Sequence, residues 1–211
     1  MTMFGTEQES WLFRSMARNK ATWAVLGSGT NMGYNYTPEE ALNWFPKDAP
    51  DRTRNFVRQG IAAAKAGMPY NLDNWGGYPT ARARVLAAAQ RADANLVVVT
   101  GDSHNGWAFD LPEGGKPAGV EFGGHSVSSP GFENATQGTD PAVIARGLLD
   151  ASKRELRWVD TSNRCYMHLS LTPQAATNEW VFMQTVKDVS LATKTGHRMK
   201  VRPGRKVLEQ A

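Results

Sequence analysis

The pattern of hydrophobic and polar positions predicts a chain of mixed helices and strands. Apolar residues recur at helical spacing in four segments, and two short apolar runs are typical of buried strands. We predict helices at 6–18, 54–65, 80–91 and 141–151, and buried strands at 22–26 and 96–100. A helix that directly precedes a buried strand, as 80–91 does, is half of a βαβ unit.

Strand patterns dominate the remainder of the chain. The runs 107–111 and 118–122 are separated by a stretch rich in Gly and Pro, which predicts a hairpin. A strand is predicted at 156–159, and two alternating patterns follow at 165–171 and 179–183. Helices followed by antiparallel strands predict an α/β fold that forms one side of a layered sandwich.

Local signals predict where the helices begin and end. Thr6 and Glu9 have the spacing of a capping box, and Gly67 is a plausible helix stop. Pro79 suits the first turn of a helix. The intervening segments 27–50 and 68–78 are predicted loops, and loops this long are usually functional or disordered.

Composition narrows the class of protein. With 211 residues, 41% hydrophobic and 21% charged, the chain is most simply one domain with a sizeable core. No stretch approaches the roughly 20 apolar residues that span a membrane. The N-terminus lacks the basic start and apolar core of a signal peptide, so we predict neither a span nor a signal in this sequence and leave the compartment open.

The net charge of +4 is concentrated at the C-terminus. Residues 187–211 hold seven Lys and Arg against two Asp and Glu, which gives +5 there and −1 for the rest of the chain. We interpret 187–211 as a solvated basic tail. Such a tail could hold phosphate groups or nucleic acid, but few aromatic residues accompany it and no nucleic-acid module is visible, so nucleic-acid binding is disfavoured.

The most informative polar cluster directly follows the predicted strand 96–100. Open α/β sheets bind ligands outside the carboxyl ends of their strands, and Gly101 would let the backbone turn sharply there. A hard cation would take the oxygens of Asp102 and Asn105, and a transition metal would accept the nitrogen of His104. The alternative is an ordinary polar turn with His104 on the surface.

Other candidate residues are weaker. Asp73, Trp75 and Tyr78 form a compact cluster that either lines the mouth of a substrate site or packs its own loop. His125 lies in a Gly-rich stretch and either approaches the site or, more simply, is a surface histidine.

The remaining histidines and the single cysteine have simpler interpretations. We interpret His168 as a structural histidine on a strand, and His197, within the basic segment, needs no role. Cys165 is predicted to be a small buried hydrophobic residue, and as the only cysteine it excludes an intramolecular disulfide. The sequence has no P-loop, no Gly-x-Gly-x-x-Gly and no Gly-x-Ser-x-Gly, which argues against those nucleotide-binding and serine-hydrolase classes.

Three segments carry a resemblance to a known family. Val98–Leu111 contains the polar cluster, and Gly119–Phe122 and Ser126–Glu133 follow it. Together they resemble the PhoD-like alkaline phosphatases, which are metal-dependent phosphoesterases related to the calcineurin-like metallophosphoesterases. Further segments with close counterparts, in the family's order, extend the resemblance over nearly the whole chain: Thr6–Leu12, Asp73–Pro79, Trp158–His168 and Thr177–Phe182.

The resemblance implies a fold and a domain organisation. The fold would be α/β, a layered α-β-β-α sandwich of the metallophosphoesterase type. This chain would supply its C-terminal half, with a mixed sheet and antiparallel C-terminal strands. Residues 1–186 would be the C-terminal portion of the phosphatase domain, and 187–211 the basic tail.

The resemblance also implies the chemistry. Relatives cleave phosphomonoesters and phosphodiesters with calcium and iron, so Ca²⁺ and Fe³⁺ are the implied cofactors. Asp102 and Asn105 would be metal ligands. For His104 we favour contact with the phosphate or protonation of the leaving group as a general acid, with metal ligation or support of a ligand as alternatives.

One part of the family pattern is missing. The only Gly-Asp pair is Gly101-Asp102, and the family's other metal-binding Gly-Asp segment has no counterpart. We therefore expect a fragment, a split-gene product or a truncated homologue that needs an N-terminal complementary segment or self-association for full activity. The alternative is a non-catalytic binding or assembly module that keeps the fold. The resemblance further implies relatives that are often periplasmic or secreted.

Overall fold

Two β-sheets pack face to face, and helices cover the other face of the larger sheet. The structure is a computed structural model that describes residues 2–211. The helices within that range are α1 (Thr6–Arg18), α2 (Asp51–Lys65), α3 (Pro79–Arg91) and α4 (Pro141–Ser152). The strands are β1 (Ala24–Ser28), β2 (Leu96–Thr100), β3 (Gly106–Glu113), β4 (Lys116–Gly123), β5 (Leu156–Asp160), β6 (Cys165–Leu171), β7 (Ala176–Met183), β8 (Thr193–Val201) and β9 (Glu209–Gln210). Short 3₁₀ helices lie at Glu39–Trp44, Trp75–Gly77 and Phe132–Asn134.

The first sheet has the strand order β1-β2-β4-β3-β5. β1, β2 and β4 run parallel, and β3 runs antiparallel to both β4 and β5. The chain therefore leaves β1, β2, β4 and β5 at the same edge of the sheet, which we call the carboxyl edge. The path from β1 through α2 and α3 to β2 completes the predicted βαβ unit, and β3 with β4 forms the predicted hairpin.

The core explains why β2 is apolar along its whole length. Leu96 and Val98 pack in the cluster between the sheet and the helices, whereas Val97 packs in the cluster between the two sheets. Alternate residues of a strand point to opposite faces, so a strand covered on both sides needs apolar residues throughout. The inter-sheet cluster is centred on Trp180 of β7, which is fully buried.

The mixed first sheet and the antiparallel second sheet confirm the predicted fold class. Residues 2–211 build three layers, since no helix in that range covers the outer face of the second sheet. His168 of β6 is consequently exposed on that outer face, which contradicts its interpretation as an enclosed structural histidine. Among the described residues, no helix is both long and apolar enough to cross a membrane.

The second sheet has the order β6-β7-β8-β9, so two of its strands, β8 and β9, come from the segment expected to be a solvated tail. β8 pairs with β7 along its length, and Met199 and Val201 are buried against the inter-sheet core. The basic residues alternate with these apolar ones, so Arg198 faces outward while its neighbour faces inward. The high local charge led us to predict a solvated tail where the chain forms β8, a strand with an ordinary amphipathic pattern.

Helix ends agree with the sequence prediction in part. Gly67 follows α2 with a φ of 73°, as a helix stop requires, and Pro79 opens α3. The predicted capping box is wrong, because Gly5 occupies the N-cap of α1 and no side chain caps it. Thr6 is already the first helical residue, so its hydroxyl does not take the capping role.

Candidate functional site

A cavity of about 220 Å³ opens at the carboxyl edge of the first sheet. It lies among the loops that follow β1 and β2, the loop before α3 and the 3₁₀ segment after β4. Its polar lining consists mainly of one carboxylate and five side-chain amides: Asp102, Asn31, Asn35, Asn71, Asn74 and Asn105. We call it the polar cavity; its position is where open α/β sheets bind ligands.

The loop after β2 is held in an unusual backbone conformation. Asp102 has a φ of 68° and His104 a φ of 61°, both in the left-handed region. The sharp turn is thus made at these two residues and not at Gly101, where we expected it. Residues held in this region cost on the order of 1–3 kcal/mol each and concentrate at functional sites, although Asp and His tolerate it better than most.

The carboxylate of Asp102 is not used to hold the fold together. Asp102 is exposed and lines the polar cavity, and its side chain makes no ion pair or hydrogen bond with another residue of 2–211. A carboxylate left without a partner on a strained backbone is suited to a ligand and contributes nothing to holding the loop.

Asn105 is buried and connects two loops. Its Oδ1 accepts a hydrogen bond from the amide of Phe132 at 3.1 Å, and its Nδ2 donates to the carbonyl of Ser103 at 2.7 Å. An amide oxygen has two lone pairs, so Oδ1 keeps one for a cation. Only glycine fits at Gly131, because a Cβ there would collide with this Oδ1.

His104 is exposed and is not among the residues that line the polar cavity. Its Nδ1 lies 2.9 Å from the carbonyl oxygen of Pro130. A carbonyl can only accept, so Nδ1 carries the hydrogen in this contact. The other ring nitrogen, Nε2, makes no hydrogen bond with another of residues 2–211.

Arg164 connects the loop after β2 to the segment after β4. It is buried, donates from Nη1 to the carbonyl of His104 at 3.2 Å, and forms an ion pair through Nη2 with Glu133. The carboxylate of Glu133 also accepts from the amide of Gly131 at 3.1 Å. One guanidinium therefore ties the loop after β2 to the segment after β4, and its planar fork suits this multiple contact.

Glu121 of β4 anchors the loop that follows β1. It is fully buried and accepts four hydrogen bonds: from Asn31 Nδ2 at 2.8 Å, Thr100 Oγ1 at 2.6 Å, and the amides of Met32 and Gly33 at 3.0 and 2.6 Å. Burial raises the pKa of Glu121, and these donors offset part of that rise. Asn31 is thereby positioned on the wall of the polar cavity.

The predicted cluster in the loop 68–78 lies elsewhere. Trp75 is fully buried, donates from Nε1 to Ser28 Oγ at 3.0 Å and packs its own loop. Asp73 is exposed, and Tyr78 precedes α3; neither lines the polar cavity, which instead takes Asn71 and Asn74 from this loop. A role of Asp73, Trp75 and Tyr78 in substrate binding stays a prediction that the geometry of this cavity does not support.

His125 is buried, which contradicts its interpretation as a surface histidine. Its Nε2 lies 3.0 Å from Asp160 Oδ1 and its Nδ1 lies 3.1 Å from Cys165 Sγ. Burial alone would raise the pKa of Asp160, but hydrogen bonds from His125 and from the amides of Asn163 and Ser162 hold it at about 2.

The arrangement of His125, Asp160 and Cys165 resembles a nucleophile with its base but lacks the reactivity. Burial raises the pKa of the Cys165 thiol to about 11, and Cys165 is only 1% exposed. The thiolate is the nucleophile, so this cysteine is inert, as predicted for a buried hydrophobic residue. His197 also has a structural place, stacked on Trp158 with 4.4 Å between ring centroids, and burial lowers its pKa.

The oxygen donors of the polar cavity fit a calcium ion. Calcium takes six to eight oxygen ligands, including carboxylate and amide oxygens, and Asp102 with the surrounding asparagines offers such oxygens. Among residues 2–211 no three His, Cys, Asp or Glu side chains converge on one point. The described residues therefore fit part of a Ca²⁺ shell, and they do not assemble an Fe³⁺ centre.

Sequence reasoning missed several residues that shape the site. Glu121 could have been recognised from the sequence, since a charged residue in an otherwise apolar strand must find hydrogen-bond partners. The sequence gives no such indication for Asn31 and Arg164, because their partners, Glu121 and His104, lie 90 and 60 residues away along the chain.

Comparisons with known proteins identify the family. A model of the PhoD-like phosphatase family matches residues 1–180. Alkaline phosphatase D of Bacillus subtilis (strain 168) is 30% identical over 136 residues, which are 62% of this chain and 19% of that protein. The solved structure of PhoD matches with a TM-score of 0.71 and 22% identity, over 100% of this chain and 35% of that one. The chain thus spans only a minor part of either relative. Because the family match extends over most of the chain, this protein belongs to the PhoD-like phosphatase family.

Proposed function

We propose that the chain contributes to the hydrolysis of phosphoric esters at the polar cavity, with Asp102 and Asn105 as ligands of a calcium ion. The observation that carries the proposal is the exposed Asp102 carboxylate, without a partner, at the carboxyl edge of a PhoD-like fold. A bound divalent cation would neutralise phosphoryl oxygens and stabilise the developing charge.

The residues of this chain have separate tasks in that proposal. Asp102 supplies the negative charge of the cation site, and Asn105 supplies an amide oxygen on a side chain already fixed by two hydrogen bonds. His104 lies on the same loop outside the cavity lining, and in its doubly protonated form it would donate from Nε2 to the phosphate or give that proton to the leaving oxygen. Arg164 and Glu121 hold the surrounding loops in place.

We propose that a complementary segment completes the site, including any Fe³⁺ ligands. Support comes from β1, which is the edge strand of the first sheet and has no partner on its outer side among residues 2–211. Val25 of β1 is 46% exposed and Trp11 of α1 is 59% exposed beside it, and both line a groove along this edge. An open edge with exposed apolar side chains suits the addition of a strand.

The test begins with cation binding. Terbium luminescence, sensitised by Trp107 in the wall of the polar cavity, reports binding of a calcium-like ion, and competition gives the Ca²⁺ affinity. Asp102→Asn should weaken binding at least about tenfold, because it removes the one carboxylate of the cavity while Asn still tolerates the left-handed backbone. Asp150→Asn, an exposed residue of α4, is the matched control and should leave the affinity unchanged.

Hydrolysis of 4-nitrophenyl phosphate and bis(4-nitrophenyl) phosphate is then measured with Ca²⁺ and Fe³⁺ present. Turnover that Asp102→Asn abolishes and Asp150→Asn keeps would support the proposal. Calcium affinity that is equal in both variants would overturn the assignment of Asp102. Calcium binding without any turnover would favour the non-catalytic module, for which the lack of three converging ligands within residues 2–211 is the supporting observation.

A further inference from the structure

A second cavity adjoins the polar cavity and has the opposite character. It encloses about 190 Å³ between the 3₁₀ helix 39–44, α2 and the segment after β4. Its lining contains no Asp, Glu, Lys or Arg. It shares Asn35, Tyr70 and Phe132 with the polar cavity, so these three residues line both spaces. We call it the aromatic cavity.

Aromatic rings form much of the wall between α2 and the shared residues. Tyr70 makes edge-to-face contacts with Phe56 and with Phe132, at centroid distances of 5.6 and 6.2 Å. Phe56 is 55% exposed although it lines this cavity. An exposed aromatic side chain at the rim of an apolar space offers a further face to an incoming ring.

Phe132 connects the two cavities physically. Phe132 contributes to the walls of both, while its backbone amide donates to Oδ1 of Asn105. A group bound against Phe132 in the aromatic cavity therefore lies next to the residue proposed to bind the cation. Two adjoining cavities, one polar and one apolar, suit one molecule with a charged end and a ring.

The volume of the aromatic cavity limits the size of the ring that it can bind. An apolar cavity of roughly 150 Å³ accommodates benzene, so about 190 Å³ admits one substituted aromatic ring and excludes a large fused system. The apolar lining disfavours a sugar or glycerol group, whose hydroxyls would lose their hydrogen bonds to water.

We propose that the aromatic cavity binds the aromatic alcohol portion of a phosphoric ester whose phosphate lies in the polar cavity. This inference rests on the proposed function and narrows its substrate class to aryl esters. In the reaction, water adds to phosphorus, the bond from phosphorus to the bridging oxygen breaks, and the phenol leaves with a proton. Nothing is oxidised or reduced.

The test uses the full chain with Ca²⁺ and three probes: phenol, phenyl phosphate and glycerol 1-phosphate. Binding is measured by ligand-observed NMR. Burial of one aromatic ring should make phenyl phosphate bind about 10- to 100-fold more tightly than glycerol 1-phosphate. Phenol alone should bind weakly, which reports the aromatic cavity without any contribution from the phosphate.

Ala135→Phe fills the cavity from its exposed rim. It should weaken phenol and phenyl phosphate at least about tenfold and leave glycerol 1-phosphate unchanged, because it removes only the space for the ring. Ala62→Phe, at an exposed position of α2 outside the cavity, is the matched control and should change nothing. Phe56→Ala removes the exposed ring of the rim and should weaken phenyl phosphate severalfold, which keeps the test available if the first variant fails to fold.

The outcomes separate this inference from the proposed function. Binding of phenyl phosphate that Ala135→Phe abolishes, without turnover by the wild type, supports the aromatic site and opposes hydrolysis. Equal turnover of phenyl phosphate and glycerol 1-phosphate, both unaffected by Ala135→Phe, supports hydrolysis and overturns the aromatic site. Absence of binding by both phenol and phenyl phosphate also overturns it.

Discussion

Two carboxylates lie at the same edge of the first sheet in opposite environments. Glu121 is fully buried and accepts four hydrogen bonds, whereas Asp102 is exposed and has no partner among residues 2–211. Asp102 also lies on left-handed backbone, a conformation that favours glycine. The hydrogen bonds of Glu121 maintain the architecture, whereas the carboxylate of Asp102 remains available to a ligand.

The two loops around these residues show the same division of labour. The loop after β1 is fixed through its own amides, two of which donate to Glu121. The loop after β2 is fixed through Asn105 and through Arg164, which contacts its backbone. Binding groups hold their geometry when other residues fix the loop that carries them. The contrast predicts that changes at the two carboxylates affect different properties.

The largest effect is expected for Glu121→Gln. The amide nitrogen would face either Nδ2 of Asn31 or the backbone amides of Met32 and Gly33, so buried donors would face each other. We expect a loss of about 3 kcal/mol in the free energy of unfolding, measured by urea denaturation. Glu7→Gln, exposed in α1, should change stability by less than about 0.5 kcal/mol. An equally small loss of unfolding free energy for Glu121→Gln would contradict the structural role that distinguishes Glu121 from Asp102.

The second effect concerns pH and Asp160. Its pKa is about 2 in the folded protein against an ordinary value of 3.8, so its ionised form stabilises the fold above about pH 4. This stabilisation, about 2 kcal/mol, is lost as the pH falls from about 4 to about 2. Urea denaturation of wild type and Asp160→Asn should show a gap that closes over this range. A gap independent of pH would exclude the ionised carboxylate of Asp160, with its contacts to His125, Ser162 and Asn163, as the source of the stabilisation.

The fold was predictable where the information is local. The limits of β2 and α3 follow from apolar patterns, with flanking Gly and Pro signals, within a few residues. β8 was hidden because basic residues alternate with Met199 and Val201, and the local charge suggested a tail. Of the candidate residues named from the sequence, only Asp102 and Asn105 line the polar cavity. The places of Glu121 and His125 could not be predicted, since their partners come from distant parts of the chain and meet only in the folded protein.

A smaller effect is expected for Arg164→Lys. Lysine keeps the charge toward Glu133 but lacks the second nitrogen that reaches the carbonyl of His104. We expect a loss of about 1 kcal/mol in stability and faster amide hydrogen exchange in the loop 101–105. Arg198→Lys, in an exposed ion pair, is the control and should alter neither. Unchanged exchange in the loop would show that Arg164 does not position it.

The smallest effect has the opposite sign and concerns Asp102→Gly. Glycine adopts a φ of 68° without steric cost, so the free energy of unfolding should rise by up to about 1 kcal/mol, even though the cation site loses its carboxylate. Asp150→Gly, within α4, should instead lower it by about 0.3 kcal/mol, the difference in helix propensity between Asp and Gly. If Asp102→Gly gains stability and loses terbium binding, the strained backbone at Asp102 costs stability and serves ligand binding. A loss of stability in Asp102→Gly would mean that this carboxylate, like Glu121, supports the fold, and the distinction between the two would then disappear.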